Sequence, residues 1–168
     1  LEFLNEYFTV MHEVIKEFHG HILNYIGDSI MVVFGAPEKL KNHENQAVKC
    51  SLKMKEKLIE LNQKWDEDET SRYWKNHDIE SITMRIGIHT GSVIAGNLGS
   101  QEMLQYSTIG DTVNVSARLE QANKDFETEI SFSHEIYTAL TKELYDQSSL
   151  SGEITLKGRT APTKVYSI

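Results

Sequence analysis

A β-prone segment, a glycine turn and a helical segment follow one another between Tyr106 and Leu119. Within the helical segment, Asn114 and Arg118 lie four residues apart among small or apolar residues, so a helix would direct both side chains off one face. Arginine supplies a permanent planar charge and asparagine a neutral donor and acceptor, a combination that can bind phosphate and sugar. Taken alone, such a pair is more often a solvated helix face, and both interpretations stay open at this level.

Length and charge limit the classes of function. The 168 residues suit one compact domain, and we predict a single domain over 1–168. The net charge of −8 argues against a nucleic-acid partner, because such surfaces need clustered Lys and Arg. A phosphorylated small molecule remains compatible if divalent cations bridge its phosphates to carboxylates of the protein.

Cysteine content and hydropathy indicate the compartment. Cys50 is the sole cysteine and lies in an amphipathic helical pattern, so we expect it in the core. The longest apolar run, Ile30 to Phe34, is too short to cross a bilayer, and no secretory segment begins the chain. These features predict a cytoplasmic domain without direct membrane contact. The chain starts at Leu1 inside an amphipathic pattern, so we expect further sequence upstream.

Hydrophobic periodicity and turn residues predict alternating helices and strands. Helices are predicted over 1–18, 42–65, 112–122 and 133–144, and strands over 21–26, 29–35, 83–90, 92–95, 105–109, 129–132, 154–157 and 164–168. Residues 96–100 are predicted to form a loop and 66–78 a surface insertion. Helices interleaved with hairpins favour an α+β sandwich over a doubly wound parallel sheet.

Four other polar residues are candidates for chemistry. Asp28 follows Gly27 in a predicted hairpin turn and suits a hard cation, although Asp in such turns often bonds only locally. Asp111 precedes a helix, where the N-cap role is the better interpretation. Lys157 at a strand end could contact a phosphate or simply be solvated. His89 has no predicted nucleophile or acid beside it, so we interpret it as structural.

Three blocks of sequence together resemble the class III nucleotidyl cyclases. They are 25–31 (Tyr-Ile-Gly-Asp-Ser-Ile-Met) with 34–37 (Phe-Gly-Ala-Pro), 85–91 (Arg-Ile-Gly-Ile-His-Thr-Gly) and 109–114 (Ile-Gly-Asp-Thr-Val-Asn). Their order and spacing also match, and the resemblance covers nearly the whole chain. It implies a ferredoxin-like or palm-type sandwich, in which helices pack on a mixed, mostly antiparallel sheet.

The resemblance also implies a reaction. In that family the ribose 3′-hydroxyl attacks the α-phosphorus of the same nucleotide, and pyrophosphate leaves. Two Mg²⁺ or Mn²⁺ ions per site assist this phosphoryl transfer. The family works as a head-to-tail homodimer, in which one subunit provides the metal-binding aspartates and the other provides the asparagine and arginine. We therefore expect a homodimeric adenylate cyclase that converts ATP to 3′,5′-cyclic AMP.

Residue by residue, the resemblance assigns roles to the candidates. Asp28 corresponds to the second metal-binding aspartate, Asn114 to the residue that orients the ribose, and Arg118 to the one that stabilises the pentavalent transition state. Lys157 corresponds to a lysine that contacts the terminal phosphates.

The positions that read the base in the family are Asn24 and Ser107 here. Adenine-selective members usually carry a lysine at the first position and Asp or Thr at the second, and guanine-selective members tend to carry Glu and a small polar residue or Cys. Both residues here can donate or accept, which weakens discrimination between purines. ATP is the expected substrate and GTP the alternative.

One family element is missing from the pattern. The first metal-binding aspartate belongs to a strand that precedes the helix starting at Leu1, and that strand is absent from this sequence. If the chain is complete as given, we expect weak or no cyclase activity. The alternatives are a guanylate cyclase, a catalytically impaired nucleotide-binding and dimerisation module, and, more weakly, a diguanylate-cyclase-like palm. Fusion to an upstream regulatory or sensor segment is expected.

Overall fold

The computed structural model describes residues 1–168 and contains six helices and eight strands. The helices are α1 (Glu2–Glu17), α2 (His43–Glu67), α3 (Arg72–Lys75), α4 (Asp111–Phe126), α5 (His134–Ala139) and α6 (Lys142–Gln147). The strands are β1 (His21–Ile26), β2 (Ser29–Val33), β3 (Ile86–Ile88), β4 (Ile94–Gly99), β5 (Leu104–Ile109), β6 (Ile130–Ser133), β7 (Ser149–Ile154) and β8 (Thr163–Ser167). The predicted α+β class is confirmed.

The strands form three sheets. A four-stranded sheet has the order β3-β6-β8-β7, in which only β3 and β6 run parallel, and β1–β2 and β4–β5 are separate antiparallel hairpins. The expectation of one mixed sheet was therefore wrong, although most pairings are antiparallel as predicted. Each hairpin pairs internally, and the two hairpins meet through side chains: Gln105 Nε2 donates to the carbonyl oxygen of Leu23 at 2.8 Å.

Three apolar clusters form the core. The first joins α1 and α2 around fully buried Trp65, the second centres on Phe132 of β6, and the third packs α4 through Leu119 against β7 and β8. Cys50 belongs to the first cluster and is buried as predicted. Burial raises the pKa of its thiol to about 12, so it is inert at neutral pH.

Helix α4 lies unusually close to β3, because Gly87 has no side chain. A Cβ atom at Gly87 would lie 2.2 Å from the backbone nitrogen of Glu120 and 2.3 Å from the carbonyl oxygen of Ser116. Both are backbone atoms of the helix, which cannot rotate away as a side chain could. Glycine at this position therefore sets the distance between the helix and the strand.

A buried amide fixes the C-terminal end of α4. Asn123 is 1% exposed, and its Nδ2 donates to the carbonyl oxygen of Ile86 at 2.9 Å. Its Oδ1 accepts hydrogen bonds from the hydroxyls of Thr128 and Ser131, both at 2.7 Å. All members of this network have partners, so it ties α4 to β3 and β6 without the cost of an unpaired buried group.

Two sequence predictions around β3 and β4 were wrong. The strand predicted over 83–90 is only β3, and the one predicted over 92–95 begins at Ile94 and continues through the predicted loop to Gly99. The continuation follows from pairing, because β4 forms a regular ladder with β5 as far as Gly99 opposite Leu104. Partner strands can hold glycines that lower the local strand propensity.

The helix predicted over 133–144 is interrupted. Leu140 has extended backbone (φ −71°, ψ 145°) and separates α5 from α6. The amide of Asn45 on α2 inserts at the break, with Nδ2 donating to the carbonyl oxygen of Ala139 at 3.0 Å and Oδ1 accepting from the backbone N–H of Thr141 at 2.7 Å. A residue distant in sequence thus supplies the hydrogen bonds that the continuous helix would have made.

Two further predictions need correction. The strand predicted over 154–157 is β7, which ends at Ile154, so Lys157 lies in the following loop. The predicted surface insertion over 66–78 contains the end of α2 and helix α3, and Trp74 is buried. Trp74 packs edge-on against Trp65, with ring centroids 5.5 Å apart. None of the helices combines the length and the apolar character needed to cross a bilayer.

We predict that Gly87→Ala lowers the free energy of unfolding by about 2 kcal/mol or more, because the added methyl group forces α4 away from β3. Urea denaturation followed by circular dichroism measures this change. Gly96→Ala is the matched control, since a Cβ there meets no atom within 4 Å, and its effect should stay within about 0.5 kcal/mol. Equal midpoints for the two variants would contradict the prediction.

Candidate functional site

Helix α4 starts at a constrained turn. Gly110 occupies the N-cap with φ 152°, a conformation that favours glycine. The Thr112 hydroxyl donates to the carbonyl oxygen of Ser92 at 2.8 Å, which fastens the first turn of α4 to the segment after β3. Asp111 lies in that first turn and makes no capping hydrogen bond, so its predicted N-cap role was wrong.

Asn114 and Arg118 lie on α4 as predicted. Asn114 is exposed and Arg118 is half-buried one turn later. Thr108, Ile109, Gly110, Val113 and Asn114 line a shallow hollow of about 360 Å³ at the start of the helix. A larger hollow of about 530 Å³ lies between α1 and the end of α2 and contains none of the candidate residues, so size alone does not identify the site.

Arg118 differs from the other arginines of the chain. Arg72 pairs with Glu69, Arg85 with Glu120 at 3.0 Å, and Arg159 with Asp111 at 3.8 Å.

No carboxylate of this chain lies within ion-pair distance of Arg118, the fourth arginine. Its planar guanidinium therefore remains available for an anion, and phosphate oxygens match its fork of donors.

Asp28 lies at the tip of the β1–β2 hairpin, as predicted. Ile26 pairs with Ser29 across a two-residue turn, and the Asp28 side chain is exposed. Burial raises the pKa of Tyr7 on α1, and the nearby charge of Asp28 adds to that increase. The hairpin tip thus lies beside α1.

The residues present suit a cation that is shared with a ligand. Asp28 offers a hard oxygen ligand on a fixed turn, and no group of three or more His, Cys, Asp or Glu side chains surrounds it. Mg²⁺ is commonly held by one or two carboxylates together with substrate phosphates. Asp28 fits that arrangement better than it fits a metal site built from the protein alone.

Asn24 and Ser107 lie on neighbouring hairpins. Asn24 sits on β1 where the register with β2 shifts, and Ser107 lies on β5 opposite Gly96. The Gln105 side chain joins β5 to β1 immediately beside Asn24. Asn24 Oδ1 is buried without a hydrogen-bond partner, a state that native structures rarely leave unexplained. The structure therefore brings both predicted base-reading residues to the junction between the two hairpins.

Lys157 is exposed in the loop after β7. Leu156, the residue before it, is buried against Val115 and Leu119 of α4. The loop thus starts on the helix that carries Arg118.

His89 is held by a hydrogen bond, in keeping with the structural interpretation. Its Nδ1 lies 2.8 Å from Ser133 Oγ, at the carboxyl ends of the parallel strands β3 and β6. Burial lowers the pKa of His89, and the charges of Glu135, Arg159 and Asp111 also act on it. The neutral imidazole is therefore the favoured form near neutral pH.

Sequence reasoning missed one residue of this region. Arg159 pairs with Asp111 and so joins the Lys157 loop to the start of α4. Only its position, two residues after Lys157 in a glycine turn, gave any signal.

Comparison with known proteins follows from this geometry. The profile described as "Adenylate and Guanylate cyclase catalytic domain" matches residues 1–168. The chain belongs to this family of class III nucleotidyl cyclase catalytic domains.

Two curated relatives differ in nucleotide. Over 98% of this chain it is 33% identical to adenylate cyclase 1 of Rhizobium meliloti (strain 1021), and over 97% it is 32% identical to the receptor-type guanylate cyclase gcy-28 of Caenorhabditis elegans. The chain spans 23% and 12% of the lengths of these two proteins.

Solved structures give the same result for the fold. The guanylyl cyclase Cya2 superposes with a TM-score of 0.78 at 30% identity, covering 98% of this chain and 77% of that one. The adenylyl cyclase CyaB from P. aeruginosa superposes with a TM-score of 0.75 at 28% identity, covering 98% and 79%. Both nucleotide specificities therefore occur among similar structures.

We predict that His89→Gln weakens the loss of stability at acid pH. Because burial lowers the folded-state pKa below the ordinary value of 6.5, the unfolded state takes up a proton more readily as the pH falls below 6.5. The unchanged protein therefore loses stability below that pH through His89, and the variant does not. Urea midpoints between pH 5 and 8 measure the difference, and equal pH slopes for the two proteins would refute it.

Proposed function

We propose that this chain is the catalytic domain of an adenylate cyclase, which converts ATP to 3′,5′-cyclic AMP and pyrophosphate at the interface of a head-to-tail homodimer. The observation that carries the proposal is Arg118, the one arginine without a carboxylate partner, half-buried one turn from exposed Asn114. A charge kept free at this position suits an anionic transition state. Family membership supplies the class of reaction.

The reaction forms one bond and breaks another. The ribose 3′-oxygen attacks the α-phosphorus, the bond from that phosphorus to the bridging oxygen breaks, and the 3′-hydroxyl loses its proton. Asn114 orients the ribose by hydrogen bonding, Arg118 offsets the charge that develops on the α-phosphate oxygens, and Lys157 binds the terminal phosphates. Two divalent cations, Mg²⁺ or Mn²⁺, held in part by Asp28, supply positive charge and favour loss of the 3′ proton when bound.

Asn24 and Ser107 are proposed to contact the base. The partnerless Oδ1 of Asn24 can accept from a purine N–H, and its amide can present either a donor or an acceptor. This chemistry suits either purine, so the preference for ATP is supported mainly by the relative named as an adenylate cyclase. GTP is the second candidate, supported by relatives named as guanylate cyclases.

A second copy of the chain is the proposed partner. The β4–β5 hairpin exposes large apolar side chains, which water disfavours and a partner would cover. They are Ile94, Leu98, Met103, Leu104 and Ile109.

In a head-to-tail pair, Asp28 of one subunit would face Asn114 and Arg118 of the other, which gives two equivalent sites. The domain is proposed to act in the cytoplasm, fused to a regulatory or sensor segment.

We predict that ATP is turned over faster than GTP and that Arg118→Ala lowers turnover at least about a hundredfold, because a charge at the transition state is lost. The assay measures cyclic nucleotide formed with Mn²⁺ by a polypeptide that carries these residues together with any sequence preceding Leu1 in its gene. Arg72→Ala is the matched control, since Arg72 is exposed on α3 and its loss should leave turnover unchanged.

Two results would count against this assignment. Faster turnover of GTP would make the protein a guanylate cyclase. Absence of turnover with both nucleotides, in a protein that binds them and dimerises, would favour the regulatory module.

The homodimer makes a separate prediction. Asp28→Asn and Arg118→Ala should each be inactive alone, whereas co-expression should restore about a quarter of the unchanged activity, because half of randomly assembled dimers hold one intact site of two. Light scattering confirms that both variants dimerise. If dimers form and no activity returns, the two residues act within one subunit and the proposed arrangement is wrong.

A further inference from the structure

The loop from Lys157 to Pro162 is weakly attached to the rest of the molecule. All six of its residues are exposed. Its one side-chain polar contact is the pair between Arg159 Nη2 and Asp111 Oδ2 at 3.8 Å. The backbone N–H of Arg159 also donates to the carbonyl oxygen of Leu156 at 3.1 Å, which closes a turn. The loop therefore depends on few interactions for its position.

Both attachments of the loop lead to α4. Leu156 is buried against the apolar face of that helix, and Arg159 reaches Asp111 in its first turn. Lys157 lies between these two points. Asp111 has no other polar partner, since the helix cap is formed without its side chain. The pair thus links the loop that carries Lys157 to the helix that carries Arg118.

The surroundings of the pair are polar. The charges of Asp111, Arg159 and Glu135 all act on His89, so groups from α4, the loop, α5 and the end of β3 share one neighbourhood. The Arg159 side chain is 37% exposed, against 73% for Asp111. Arg159 is therefore partly enclosed, which favours a defined orientation over a freely moving one.

We propose that Arg159 is a positioning residue, whose ion pair with Asp111 holds the loop from Lys157 to Pro162 against the first turn of α4 and so sets where the Lys157 ammonium meets the terminal phosphates of the nucleotide. This inference rests on the proposed function, because it presumes that Lys157 binds those phosphates. Lysine is a flexible point charge, so its backbone must be held if its position is to be defined.

The proposal differs in sign from a simple charge effect. Removing the negative charge of Asp111 near an anionic substrate would, by electrostatics alone, strengthen nucleotide binding and lower KM. If Asp111 holds the loop, its removal weakens binding and raises KM. Asp111→Asn therefore separates the two interpretations directly.

Steady-state kinetics with ATP form the first test. Asp111→Asn and Arg159→Gln should each raise KM about two- to fivefold, as expected for loss of a partly exposed pair, with little change in kcat. The charge-swapped double variant Asp111→Arg with Arg159→Asp should recover at least half of the loss. Asp146→Asn is the control, because it removes an exposed carboxylate from the Lys142–Asp146 pair on α6, and KM should not change.

Hydrogen exchange of the nucleotide-free protein forms the second test and does not require activity. Amides of residues 157–161 should exchange about two- to fivefold faster in Asp111→Asn and Arg159→Gln than in the unchanged protein or in Asp146→Asn. Arg159→Gln leaves the helix terminus itself intact, so faster exchange in this variant reports on the loop rather than on α4.

The outcomes are distinguishable. If Asp111→Asn lowers KM while Arg159→Gln raises it, Arg159 binds phosphate directly and the positioning role is refuted. Unchanged exchange in both single variants also refutes it. If the unchanged protein turns over neither nucleotide, the proposed function fails, and the exchange measurement alone decides whether the pair holds the loop.

Discussion

The contact of α4 with β3 at Gly87 is the constraint on which the rest of the site depends. A helix backbone can lie this close to a strand only where the strand has no side chain, and the Asn123 network then prevents α4 from sliding or lifting at its far end. The turn at Gly110 fixes the other end. Asn114 and Arg118 are consequently held by a helix that is fastened at its start, middle and end.

Local signals were sufficient for the parts of the fold that local interactions determine. The β1–β2 hairpin and helices α1, α2 and α4 follow from short-range periodicity and turn residues, and they lie where they were predicted. The errors fall where distant residues decide. Asn45 breaks the helix after α5, and β5 holds the glycine-containing β4 in a strand. Neither partner is visible within a short window of sequence.

The same division applies to the candidate site. The helical spacing of Asn114 and Arg118 and the turn position of Asp28 could be read from the sequence, because each depends on neighbouring residues. The pairing of Arg159 with Asp111 could not, since it depends on how the loop after β7 folds over α4. Asp111 was expected to cap the helix, and because Gly110 takes that position, the carboxylate is left for Arg159.

The folded chain carries polar groups that lower its own stability. Arg118 is half-buried without a counter-charge, and Asn24 Oδ1 is buried without a donor. A missing partner is not by itself a functional mark, because Trp74 Nε1 shares that state inside an aromatic cluster remote from the site. What distinguishes the first two is their place: one lies beside the hollow at the start of α4, and the other at the junction of two hairpins. In a chain with a charge of −8, an arginine that avoids every available carboxylate is best explained by a ligand that supplies the missing anion.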